Sequence, residues 1–188
     1  MGFVVVYDAC VLYPAPLRDL LVRVGKAGLV QARWSHAILD ECFHAIHRER
    51  PEIPEAALAR TRRLMCAAVR DCLVEGFEAL VEGLTLPDPN DRHVLAAAIR
   101  AGAQTIVTRN LKDFPGDRLA PLGIRAQDPD DFVLGLLNLQ GAAVLRVVTE
   151  QAADLRNPPR TVEDVLLTLE ANGLTRSVAE LSALLDGS

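Results

Sequence analysis

Strands alternating with helices through residue 128 predict an α/β fold built on a parallel sheet. Two observations carry that prediction. The candidate strands are short, continuous apolar runs, as in strands buried on both faces, and each is followed by a segment with helical spacing and a recognisable stop. Past residue 130 the strand signals cease, which divides the chain into a unit over residues 1–130 and an all-helical extension over 131–188.

Taken in order, Phe3 to Tyr7 is apolar and β-branched and predicts the first strand. Leu17, Leu20, Leu21 and Val24 form one stripe of a helix that Gly28 stops. Leu29 to Trp34 predicts a second strand, and Ser35 suits the N-cap of a helix running to about Arg48. Pro51 and Pro54 interrupt the chain before a longer helix from Glu55 to Leu73. Gly76 to Leu84 fits neither period.

In Asp88-Pro-Asn-Asp91, Asp88 reads as an N-cap, Pro89 as the first helical residue and Asp91 as the third, where a carboxylate meets the positive dipole end. That helix runs to Arg100 and closes at Gly102. Thr105 to Thr108 predicts a buried strand and Gly123 to Ala126 a last short one. In the extension, Asp131 to Leu155 is helical with Gly135 and Gly141 as weak points, and Pro158-Pro159 break it. Thr161 to Asp164 resembles a capping box, Asn172-Gly173 ends that helix, and Ser177 is placed to cap a final one through Leu185.

Composition narrows the classes. With 188 residues, 50% of them hydrophobic and 24% charged, the chain can build one sizeable core. No apolar run approaches the roughly 18 residues of a membrane span, and Met1 leads directly into the first strand without a basic leader, so a cytoplasmic protein away from membranes is expected. A net charge of −5 argues against non-specific coating of nucleic acid, which needs Lys and Arg to neutralise phosphates, and leaves room for a local site. Basic residues cluster at Arg48 and Arg50 and from Arg60 to Arg63, as solvated helix faces or substrate contacts. Cys10, Cys42, Cys66 and Cys72 are spread without a CxxC pair and read as core thiols. His44 and His47 share a helix face with no third ligand apparent.

The ligand crevice of such a fold lies outside the carboxyl ends of the strands. Asp8 follows the first strand, Asp91 opens a helix, and Asp113 follows the Thr105 strand. The Ser35 helix offers Asp40 and Glu41; spacing puts Glu41 beside Ile38 and Ala45, and Asp40 with His36 and His44, which favours Glu41 as the inward acid. Carboxylates gathered in one crevice repel one another unless a cation sits between them, and Mg²⁺ or Mn²⁺ suits hard oxygen ligands. A metal held so can activate water for phosphodiester hydrolysis.

Val4-Val-Val-Tyr-Asp8, Trp34-Ser-x-x-Ile-Leu-Asp-Glu41, Leu86-Pro-Asp-Pro-Asn-Asp91-Arg-His-Val-Leu-Ala-Ala-Ala98 and Ile106-Val-Thr-Arg-Asn110-Leu-Lys-Asp113-Phe-Pro together resemble a PIN domain, specifically the VapC-like toxin nucleases, over roughly residues 3–134. The resemblance implies a Rossmann-like three-layer α/β/α sandwich and a metal-dependent endoribonuclease of a type II toxin–antitoxin pair. It carries metal-binding roles onto Asp8, Glu41, Asp91 and Asp113, with Asn110 near the site and Asp88 as a supporting acid. Arg92, Arg109 and Lys112 lie beside these positions as phosphate contacts. It further implies an RNA substrate, a DNA-binding antitoxin that covers the site, and a homodimer.

Two other readings compete. A phosphatase using Asp8 as nucleophile would want a second Asp two residues on, where Cys10 stands. A PIN fold kept for partner contacts without catalysis is the other. No P-loop or GxGxxG follows the first strand, which argues against NTP and dinucleotide binding.

Overall fold

The structure, a computed structural model, describes residues 2–187. Ten helices and four strands follow in chain order among the described residues: β1 (Val4–Tyr7), α1 (Ala9–Leu12), α2 (Ala15–Lys26), β2 (Gln31–Arg33), α3 (His36–Glu49), α4 (Glu55–Ala68), α5 (Glu78–Val81), α6 (Arg92–Ala101), β3 (Thr105–Val107), α7 (Gly116–Leu119), β4 (Arg125–Gln127), α8 (Pro129–Asp154), α9 (Val162–Ala171) and α10 (Thr175–Asp186). The strands form one parallel sheet in the order β2-β1-β3-β4, flanked by helices as an α/β/α sandwich with a helical C-terminal region. The chain runs from β1 to its neighbour β2 on one side and later to β3 on the other. That change of direction opens a crevice beyond the carboxyl ends of β1 and β3.

Val5, Val6 and Tyr7 of β1 are fully buried, and the strand ends at Asp8, which caps α1 by accepting from the Ala9 N–H. Tyr7 stacks on Trp34 at 6.3 Å between ring centroids and meets Phe132 edge-on at 6.1 Å, with its hydroxyl donating to the Leu21 carbonyl. Ser35 caps α3 by accepting from the Ile38 amide, and Gly102 ends α6 in the left-handed region, where glycine carries no Cβ penalty.

Three local expectations change. The helix expected to reach Leu73 ends at Ala68: Val69 is extended, Asp71 has φ 53°, and Trp34 pairs with the 72–74 segment through Trp34 N–H to Cys72 O and Val74 N–H to Trp34 O, both 2.9 Å. Sheet-type pairing with buried Trp34 outweighs helix propensity there. Asp88 caps only a 3-10 turn over Pro89–Asp91, accepting from Asn90 N–H, and Asp91 becomes the residue preceding α6 with a side chain that makes no cap bond. Ser177 lies inside α10, which begins at Thr175, because its hydroxyl bonds Asp130 across the helix interface.

The C-terminal helices share the main hydrophobic core with the sheet: Phe132, Val133, Val144, Val148, Leu169 and Leu181 belong to the same cluster as Val5 and Ile106. α8 packs against α2, α9 and α10. At Gln140 its backbone leaves the helical region, and a Cβ on Gly141 would stand 3.1 Å from Leu184 of α10, so the bend brings α10 close to glycine backbone. The expectation about apolar runs needs correction here. By length and composition α8, 26 residues long and containing an 18-residue stretch of mean hydropathy 1.6, is long and apolar enough to cross a membrane. Polar Asn138 and Gln140 interrupt the apolar run, and buried Gln151 and Asp130 are bonded to α2 and α10, through the Pro16 carbonyl and the Ser177 N–H. Those contacts are what a core helix makes.

Candidate metal centre

Asp8 stands where β1 ends. It is 5% exposed, and both carboxylate oxygens are engaged: Oδ1 accepts from Ala9 N–H at 2.7 Å, while Oδ2 accepts from the Thr108 hydroxyl at 2.7 Å and the Cys10 thiol at 3.2 Å. The Thr108 contact follows from register. Tyr7 pairs with Val107 in the parallel ladder, so the residues just beyond them meet. Sequence reading missed Thr108, although the pairing of β1 with β3 would have pointed to it. Burial raises the Asp8 pKa, the three donors lower it in part, and the nearby charge of Glu41 raises it again.

Asp91 carries the clearest electrostatic signal. Its carboxyl is pushed up to about 6, first by partial burial and then by the charges of Asp8, Asp88, Asp113 and Glu41. Burial and neighbouring acids both disfavour the charged form, and at Asp91 they act in the same direction. Asp91 Oδ2 is 3.4 Å from the Asn110 amide nitrogen, and the Asn110 backbone N–H donates to Thr108 Oγ1. Asp113 closes a 3-10 turn over Leu111–Asp113, just past Asn110.

Glu41 projects from α3 with 54% of its side chain exposed, and its Oε2 faces His93 Nε2 at 3.4 Å. Asp40 points elsewhere, to Arg62, which also reaches His36. The structure thus brings Asp8, Glu41, Asp91 and Asp113 from four separate segments within electrostatic reach, with Asp88 at the edge. Among the described residues, no group of three or more His, Cys, Asp and Glu side chains is close enough to hold a metal ion as the chains now stand. Bare carboxylates repel one another, and here Asp8, Glu41 and Asp91 each lean toward a protein donor: Thr108, His93 and Asn110. The donor set itself, all hard oxygen, fits a hard divalent cation.

The basic residues divide. Arg92 bonds the Pro89 carbonyl at 2.9 Å. Arg109 donates to the Asn172 carbonyl at the end of α9, so it joins the crevice loop to the C-terminal helices. Lys112 is exposed on the 3-10 turn beside Asp113. The Arg60–Arg63 cluster contributes Arg62 to the Asp40 pair, and Arg48 and Arg50 face Glu49 and Glu52. The four cysteines are free thiols; His47 faces Glu55 at 3.7 Å.

The PIN domain family model matches residues 4–112, and the model described as VapC50 C-terminal domain matches residues 129–183. A protein of Mycobacterium tuberculosis (strain ATCC 25618 / H37Rv) named "Putative ribonuclease VapC50" is 47% identical over 76 residues, 40% of this chain and 45% of that protein's length. The alignment therefore spans less than half of that relative. No solved structure matches. The sheet order, the acids at the carboxyl ends of β1 and β3, and a family match over more than half of the chain lead to one assignment: this chain belongs to the PIN domain family.

Proposed function

We propose that the chain is an endoribonuclease that hydrolyses phosphodiester bonds with Mg²⁺ or Mn²⁺, and that it is the toxin of a type II toxin–antitoxin pair. What supports the reading is that Asp8, Asp113 and Glu41, from three other segments, all act through their charge on Asp91. The name of the mycobacterial relative supports the RNA substrate. The wider reading, in which a DNA-binding antitoxin covers the crevice, two copies associate and the protein works in the cytoplasm, extends the family resemblance.

Asp8, Glu41, Asp91 and Asp113 would hold the ion. Bound there, it would supply an activated water and neutralise charge on the scissile phosphate. The protein's own parts do the rest. Thr108 fixes Asp8 in one rotamer, and Asn110 orients Asp91 from the loop after β3. Exposed Lys112, next to Asp113 in sequence, takes the phosphate backbone of RNA. Arg92 and Arg109 reach it only by leaving Pro89 and Asn172. Asp91 binds a cation as the carboxylate, so protons compete with the metal and activity falls toward acid pH.

Asp8 has both oxygens committed and little exposure, which suits a fixed charge better than the free nucleophile of a phosphatase. The test is RNA incubated with purified protein and Mn²⁺ or Mg²⁺. Wild type cuts and Asp8→Asn does not. RNA left equally intact by both, with either metal, would favour a PIN fold kept for partner binding.

A further inference from the structure

His93 sits in the first turn of α6, two residues past Asp91, and joins that helix to α3 through its contact with Glu41: Nε2 lies 3.4 Å from Glu41 Oε2. Its other ring nitrogen, Nδ1, is buried without a hydrogen-bond partner. A side chain retained only for packing would be better as an apolar residue, because an unpaired buried nitrogen is unfavourable. With Nδ1 unable to bond, the polar capacity of the ring is directed at the carboxylate alone. Glu41, in turn, is half exposed on a long, rotatable stem and needs a partner to hold it at one angle. The contact links the acid of α3 to the helix that carries Asp91.

We propose that His93 is a positioning residue: its Nε2, 3.4 Å from Glu41 Oε2, pairs with that carboxylate and restrains it on the side of α6 that carries Asp91. This rests on the divalent-cation reading above. The ring holds the acid before a cation arrives, so less side-chain freedom is lost on binding.

The test measures Mn²⁺ binding by electron paramagnetic resonance on wild type, His93→Ala and His93→Gln, with thermal unfolding of each. His93→Ala weakens Mn²⁺ binding about 10-fold or more, the range for partners of metal-ligating side chains. His93→Gln, which keeps an N–H at similar reach, recovers most of it. In a Glu41→Gln background, His93→Ala has no further effect, because its target is gone. If His93→Ala fails to fold, His93→Met fills the same space without a donor and takes its place. Equal Mn²⁺ affinity in wild type and in the folded donor-less variant overturns the proposal and leaves the nuclease reading standing. Absence of Mn²⁺ binding in wild type, together with intact RNA in both Mn²⁺ and Mg²⁺, overturns the nuclease reading itself, and absence of Mn²⁺ binding alone overturns the role of His93.

Discussion

Asp8 and Asp130 are equally hidden, each 5% exposed, yet their carboxyl groups respond in opposite directions. Both are raised by burial. At Asp130 the Ser177 hydroxyl and N–H and the Arg176 N–H and guanidinium outweigh that and hold the pKa below the usual range. At Asp8 the donors do not prevail, and Glu41 adds its own charge. One carboxylate ties α8 to α10. The other is kept under electrostatic pressure beside three more acids. Equal exposure therefore does not fix how a carboxyl responds: burial raises both, and the donors gathered around each decide which way the balance falls.

The comparison breaks most visibly in activity. Asp8→Asn and Asp91→Asn each lower RNA cleavage by roughly 10³-fold or more, about 4 kcal/mol of transition-state stabilisation, measured as kcat/KM with Mn²⁺. Asp130→Ala leaves the crevice acids in place and instead destabilises the fold by about 3 kcal/mol, since four donors lose their acceptor. For a chain of this length that is a fall in Tm of roughly 8 °C by calorimetry. An Asp130→Ala protein that melts like wild type would remove the structural half of the contrast.

A smaller effect has the opposite sign. Asp91 has a folded-state pKa above its unfolded value, so its contribution to stability is fully present below about pH 4 and lost as pH rises through about 6. Asp91→Asn carries no such titration. In metal-free buffer at pH 7.5 it is more stable than wild type by about 1 kcal/mol after allowance for solvent screening of a partly exposed group, and the gap closes below pH 4. Urea midpoints across pH read this directly. The smallest change is Arg109→Ala, which frees the crevice loop from Asn172 and shifts Tm by about 2 °C or less while raising KM for RNA.

Much of the fold was legible because its signals are local. Valines followed by aspartate, Ser35 before an amphipathic run, and Gly102 after alanines each state an element and its end within a few residues. The acid-bearing segments were legible for the same reason, since each closes a strand or opens a helix. What escaped depends on distant partners. α4 stops at Ala68 because residues 72–74 pair with Trp34. Ser177 is drawn inside α10 by Asp130, 47 residues away in sequence. Thr108 and His93 reach Asp8 and Glu41, which lie far from them along the chain. Helix spacing separated Asp40 from Glu41, but it could not say that the acid facing the crevice would meet a histidine.

The carbon-13 signal of the Asp91 carboxyl, followed against pH in metal-free protein, probes the shared crevice most directly. A midpoint near 6 that falls in Asp8→Asn shows that these acids feel one another across separate segments of the chain. A midpoint near 4, unmoved by that substitution, would mean that they stand apart and that no common cation site exists.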